Sequence, residues 1–364
     1  MSNSAIQMYA LSLDQVTNGI KQGGNKRTVL VQGDMGNAKT SILNVLAKEL
    51  PTHKASYFDA TTKDTGDVML PKIDINGDKN FVTFATNEEL GAHLSGPIIL
   101  MLDEFGKANP AVKNALLRVI LERKIGSYEL HPDSIVFATT NKGSEGVGDL
   151  LPPHARNRMT VIQMRKINQE EWIDWGINNG VDATILGWAK DNPQIFHSFE
   201  DVKNPDDNPY IFHPNQQRPS FVTPRSLEAA SDWVKLRDTM DDTTLTGFLM
   251  GTIGERGAMD LMAFVKLADQ MPKRDDIIND PKNAKIPTSA SAVVMVVFRS
   301  LASMSKDYIN PFMEYLVRLD QEAQGMFANG VRNPKYHAQQ LVMTNKKFTD
   351  WAMKNNYMFS ADKK

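Results

Sequence analysis

The chain has 364 residues, with 41 Lys+Arg against 43 Asp+Glu and a formal net charge of −2. That balance excludes a polybasic binder held by counterion release, so any nucleic-acid contact would need a local patch. The absence of cysteine excludes a disulfide framework, thiolate zinc sites and thiol catalysis, and it fits a reducing compartment.

Hydrophobic residues make up 41% and charged residues 23%, the composition of a globular chain of about two domains. The longest apolar runs, Ile98 to Leu102 and Ala292 to Phe298, are far shorter than the roughly 20 residues of a membrane span. The start, MSNSAIQMYALSLDQ, has no basic region ahead of an apolar stretch. No membrane association and a cytoplasmic location are expected.

From Asn25 to about Ile162, short apolar runs alternate with helical patterns, which predicts an α/β fold with a parallel sheet. Strands are expected at 28–31, 55–58, 98–102 and 135–139, buried on both faces. A helix over 40–50 places Ile42, Leu43, Val45, Leu46 and Leu50 on one side. Val68 to Asp74 and Lys79 to Phe84 flank Ile75-Asn76-Gly77-Asp78, whose Asn-Gly pair suits a type I′ turn, so an inserted hairpin is expected. Asn109-Pro110 reads as an N-cap and first-turn proline, opening a helix that Gly126 ends.

Beyond Ile162 the pattern is all-α, with helices expected at 169–178, 183–191, 226–237, 245–270, 289–306 and 311–327. The Pro-, Asn- and Asp-rich stretch 199–219 reads as a long loop. The tryptophans, Trp172, Trp175 and Trp188 among them, are expected in the core. The predicted division is a nucleotide-binding core over 1–165, an all-α lid over 166–275 and a helical C-terminal extension over 276–364.

Between the first strand and the first helix lies Gly33-Asp34-Met35-Gly36-Asn37-Ala38-Lys39-Thr40, followed by Ser41. Gly33, Lys39 and Thr40 match the phosphate-binding loop pattern, while Ala38 replaces its second glycine. Backbone N–H groups of such a loop wrap phosphate oxygens, and the helix N-terminus adds positive potential. Lys39 would reach the β- and γ-phosphates of ATP and the Thr40 hydroxyl would ligate Mg²⁺. Ala38 falls where the chain is expected to enter the helix, where a methyl group is tolerated.

The strand ending in Asp103-Glu104 adds two carboxylates at a strand C-terminus, where ligands bind in open α/β sheets. Asp103 would hold Mg²⁺ and Glu104 would polarise the attacking water. The next strand ends in Asn141, whose carboxamide could hold that water or the γ-phosphate. Arg156 and Arg158 are both candidates for an arginine finger supplied to a neighbouring subunit. Arg225, opening a helix after Thr223-Pro224, could report nucleotide state to the lid.

In that order these motifs resemble AAA+ ATPases, and more closely the MoxR type within the helix-2-insert clade. The Gly36-Asn37-Ala38-Lys39-Thr40 loop, the hairpin around Asn76-Gly77, and the run from Leu121 to Gly126 through Asn141 carry that closer resemblance. It extends over about residues 25–260. The resemblance implies Walker A at Lys39 and Thr40, Walker B at Asp103 and Glu104, sensor 1 at Asn141 and sensor 2 at Arg225. It also implies a homo-oligomeric ring, expected as a hexamer, with ATP between subunits. A protein client and a partner carrying a von Willebrand factor A domain are implied as well.

Two other functions compete. A nucleic-acid motor for branch migration, replication or restriction could use the hairpin and the basic Lys346-Lys347 and Lys363-Lys364, but no groove-scale basic footprint is present. A nucleotide-binding structural protein without turnover would have no need of Glu104 and the paired arginines. The seven histidines show no metal-ligand spacing, and no Gly-x-Ser-x-Gly elbow occurs.

Overall fold

The computed structural model describes residues 10–73, 82–141, 157–268 and 270–360. They fall into two units, Met1–Ile167 and Asn168–Lys364.

In the first unit the strands are β1 (Val29–Gly33), β2 (Lys54–Asp59), β3 (Met69–Ile73), β4 (Val82–Thr86), β5 (Ile98–Asp103), β6 (Lys124–Ile125), β7 (Tyr128–Glu129), β8 (Ile135–Asn141) and β9 (Thr160–Gln163). The main sheet is wholly parallel, in the order β2-β5-β8-β1-β9. Its helices are α1 (Leu13–Gly23), α2 (Ser41–Glu49), α3 (Thr65–Val68) and α4 (Pro110–Glu122).

Side chains alternate across a strand, and the central strands feed two cores in turn. Leu30, Leu100, Leu102, Val136 and Ala138 pack with Val112, Leu116 and Val119 of α4. Val29, Val31, Ile99, Met101 and Phe137 pack with Val16 and Ile20 of α1 and Ile42 and Leu46 of α2. Each such side chain buried contributes roughly 1.5–3 kcal/mol, which is why the sheet needs cover on both faces.

Four strands arise where expected, with two corrections. β2 is an edge strand, with Lys54, Ala55 and Tyr57 exposed and only Ser56 and Phe58 buried, so it is not covered on both faces. A fifth strand, β9, pairs with β1 on the other edge, and its short, half-exposed Thr-Val-Ile-Gln carries little strand signal. α1 also went unread, although Ser12 and Gln15 form a capping box in which Gln15 N–H donates to Ser12 Oγ.

The inserted hairpin is present as β3 and β4, antiparallel from Met69 opposite Thr86 to Ile73 opposite Val82. Its Ile75–Asp78 turn lies outside the described residues. Asn109 caps α4 by accepting from Ala111 N–H at 3.0 Å, as expected. The helix ends earlier than Gly126, at Arg123, which is left-handed (φ 58°). The Arg123 guanidinium donates to Gly24 O, Ile120 O and the Thr28 hydroxyl, and burial pulls its pKa down to about 10. Gly126 instead sits at positive φ in the turn of a second small hairpin, β6–β7.

The second unit is helical among its described residues: α5 (Gln169–Asn178), α6 (Ala183–Asp191), α7 (Pro224–Lys235), α8 (Asp242–Ile253), α9 (Glu255–Ala268), α10 (Arg274–Asn279), α11 (Ala290–Ala302), α12 (Ile309–Leu316), α13 (Gln321–Arg332), α14 (Gln339–Met343), α15 (Lys346–Lys354) and α16 (Tyr357–Ser360). α11 packs against α5, α6, α9 and α13, so packing runs across residue 275 without a break. The loop 199–219 carries two short 3-10 turns and is drawn together by Arg218, which donates to Asn208 O and Ile211 O at 2.7 Å each. Trp172 and Trp188 are buried, whereas Trp175 is half-exposed. No described helix is long and apolar enough to cross a membrane.

Two expected helices are each broken in two. The stretch 311–327 divides between α12 and α13, where Asp320 accepts from Ala323 N–H to start a new N-terminus. The stretch 245–270 divides at Gly254, whose backbone (φ 82°, ψ 163°) is essentially closed to other residues. A Cβ there would lie 2.7 Å from Ser220 O. Gly254→Ala is expected to destabilise the protein by about 2–3 kcal/mol, read as a lowered midpoint in urea denaturation followed by circular dichroism.

Candidate active site

Parallel register brings the ends of β1, β8 and β5 side by side. Gly33 pairs with Asn141, and Asp103 ends the strand next to β8. Loop, amide and carboxylate therefore converge at one sheet edge.

Lys39 is the centre of this edge. Its side chain is buried, and its Nζ donates to Gly33 O and Asp34 O at 2.9 Å each and to Asn141 Oδ1 at 2.6 Å. An ammonium has no lone pair, so it fixes the amide orientation of Asn141, with the oxygen toward Lys39. Asn141 Nδ2 is then left buried and without a hydrogen-bond partner among the described residues. A buried unpaired N–H is costly, and this one suits an anionic acceptor.

The loop holds its shape by local bonds. Gly36 takes positive φ (69°) and Asn37 N–H donates to Asp34 O at 3.3 Å. Asn37 serves as a clasp rather than a ligand. Its Nδ2 donates to Arg165 O and its Oδ1 accepts from Ile167 N–H, both at 3.0 Å. Ala38 does not enter the helix as expected. It is left-handed (φ 54°), the conformation in which glycine is favoured, and α2 begins only at Ser41. Ser41 Oγ donates to Ala38 O at 2.7 Å, while the Thr40 hydroxyl makes no capping bond. Asp34 is buried, and Met35 is partly exposed.

Both Asp103 oxygens are oriented by hydroxyls. Tyr57 Oη donates to Oδ2 at 2.8 Å and Thr139 Oγ1 donates to Oδ1. Thr139 Oγ1 also accepts from Glu104 N–H at 3.2 Å, so one side chain of β8 steadies both carboxylate residues. Glu104 is left-handed (φ 49°), and its Oε2 lies 3.2 Å from Lys107 Nζ. Tyr57, Thr139 and Lys107 were not read from the sequence. Their roles depend on which strands are neighbours and on a tight turn, and no local motif announces either.

The structure brings Lys39, Asp103, Asn141 and the loop together, with Glu104 adjoining. Arg158 is exposed in the turn before β9. Because Thr160 pairs with Val29, Arg158 lies beyond the far end of β1, about 13 Å or more along the strand from Gly33. Arg156 lies outside the described residues. Arg225 is exposed in the first turn of α7 in the second unit, where Thr223 and Ser226 form the cap.

Residues 28–159 match the family model described as AAA domain (dynein-related subfamily). That stretch contains the phosphate loop and the acidic pair, and its likeness to an AAA domain supports ATP hydrolysis. No curated protein matches the sequence. Solved structures with some likeness include NtrX from Brucella abortus in complex with ADP, at 14% identity, covering 95% of this chain and 68% of that one, with a TM-score of 0.38. The RuvB Holliday junction branch migration motor of Thermotoga maritima is 17% identical, covering 78% of this chain and 76% of that one, with a TM-score of 0.37.

A left-handed alanine costs about 1–2 kcal/mol, offset in part by the greater unfolded-state freedom of glycine. Ala38→Gly is therefore expected to match or exceed the wild-type denaturation midpoint and to retain ATP binding. Ala38→Val is expected to lose about 1–2 kcal/mol and to weaken binding of a fluorescent ATP analogue.

Proposed function

We propose that this protein is a ring-forming AAA+ ATPase of MoxR type, expected as a hexamer, which remodels or helps assemble a protein client. A partner with a von Willebrand factor A domain fits that reading. The observation that carries the ATP-binding part is the buried Lys39 ammonium, held by loop carbonyls and Asn141 beside Asp103.

The residues present fit a magnesium–nucleotide complex, since Asn141 Nδ2 is a buried donor with no partner among the described residues. Thr40 and Asp103 would hold Mg²⁺, which supplies charge neutralisation on the β- and γ-phosphates. Lys39 exchanges its carbonyl acceptors for phosphate oxygens, a stronger charge-assisted pairing. Asn141 donates its free Nδ2 hydrogen to the γ-phosphate or to the attacking water. Glu104 accepts the proton of that water.

Arg158 supports action in trans, since it lies past the opposite end of β1 from its own phosphate loop. Arg156 is the alternative finger, and Arg225 is proposed as the lid residue that senses the nucleotide. A net charge of −2 favours a protein client over a nucleic-acid track.

Glu104→Gln is expected to keep ATP binding while lowering kcat at least about 100-fold; undiminished steady-state hydrolysis would remove Glu104 from the role of base. Arg156→Ala or Arg158→Ala is expected to lower activity, and mixing with Lys39→Ala subunits, which carry intact arginines, restores part of it. If neither arginine variant loses activity, the trans arrangement is wrong. Single- or double-stranded DNA is expected to leave the ATPase rate unchanged, and strong stimulation would favour a nucleic-acid motor.

A further inference from the structure

Glu104 and Lys107 are the two ends of one tight turn. Glu104 precedes the 3-10 turn Phe105–Lys107, and Lys107 N–H donates to Glu104 O at 2.8 Å. The two residues between them are pinned. Phe105 is fully buried in the core beneath α4. Gly106 lies so close to β8 that a Cβ would sit 2.1 Å from Thr140 Oγ1.

On this fixed turn the Lys107 side chain folds back over Glu104, with Nζ 3.2 Å from Oε2. The two side chains are only 20% and 25% exposed. Oε2 is itself buried and has no aligned hydrogen bond, so the nearby ammonium is what compensates a carboxylate oxygen removed from water. With Oε2 held by Lys107, Oε1 is the oxygen left to accept from a water.

The geometry points to Lys107 as a positioning residue for Glu104, holding Oε2 so that Oε1 is the oxygen offered to the attacking water. This rests on Glu104 being the base. The pair differs from an ordinary surface ion pair because its carboxylate oxygen is buried and its turn is clamped on both sides.

The test compares steady-state ATP hydrolysis by the full-length wild type with Lys107→Met, Lys107→Gln, Lys107→Arg, Glu104→Gln and the Lys107→Met/Glu104→Gln double variant. ATP-analogue binding and thermal melting report on folding. Lys107→Met and Lys107→Gln are expected to lower kcat about tenfold or more, with KM for ATP within about twofold. Lys107→Arg should recover most of the loss, and Lys107→Met should add nothing to Glu104→Gln.

Unchanged kcat in both neutral variants, a loss carried mainly in KM, or a further loss in the Glu104→Gln background would overturn the assignment while leaving Glu104 as base. Full turnover by Glu104→Gln would overturn the base itself, and the positioning role with it. Should Lys107→Met not fold, Lys107→Gln and Lys107→Arg decide the question through the same split.

Discussion

A buried ammonium needs oxygen partners, and around Lys39 these partners explain the arrangement of the site. Desolvating an unpaired cation costs several kcal/mol, so Lys39 can be buried only where carbonyl-type oxygens converge. Gly33 and Asp34 supply two of them from the end of β1, and Asn141 supplies the third from the end of β8. Those strands must be parallel neighbours in register for the three to meet, which the pairing of Gly33 with Asn141 provides. Phosphate oxygens would be stronger partners for Lys39 than these, as the proposed nucleotide binding requires.

A second layer of constraint surrounds the first. Thr139 links Asp103 and Glu104, Tyr57 reaches across from the edge strand to Asp103, and Asn37 ties the loop to the segment 165–167. These contacts leave the acidic pair and the loop little freedom relative to each other. Preorganised groups of this kind lose less on binding a transition state than groups that must first be gathered. Among the described residues, Ala38 and Glu104 at the site and Arg123, away from it at the end of α4, are left-handed without being glycine. At Ala38 and Glu104 this strain falls on the groups proposed to carry the chemistry.

Much of this was legible in the residues themselves. The loop from Gly33 to Thr40, the Asp103-Glu104 strand end and the Asn109-Pro110 cap are local patterns whose physical requirements can be read along the chain. The parallel sheet followed from continuous apolar runs such as Ile98 to Leu102. What escaped depended on neighbours in space. The half-exposed β9 is a strand because β1 offers it a free edge, and Lys54 and Tyr57 are exposed because β2 has no neighbour on one side. Gly254 reads as a tolerable helix residue until Ser220 O is found beside it. Ala38 looked like a helix entry because its positive φ comes from the closed loop and not from its own preference. The inserted hairpin followed from its turn signal, whereas the exposure of its apolar Leu70, Ile73, Val82 and Phe84 did not.

Lys39 and the loop around it are proposed to grip a polyphosphate. Isothermal titration calorimetry of the intact protein with ATP and magnesium, run beside Lys39→Ala, addresses this most directly. Saturable binding to the wild type, weakened at least about 100-fold by loss of the charge-assisted contacts, is the predicted result. Equal affinity in the two proteins, or no binding to the wild type, would contradict it.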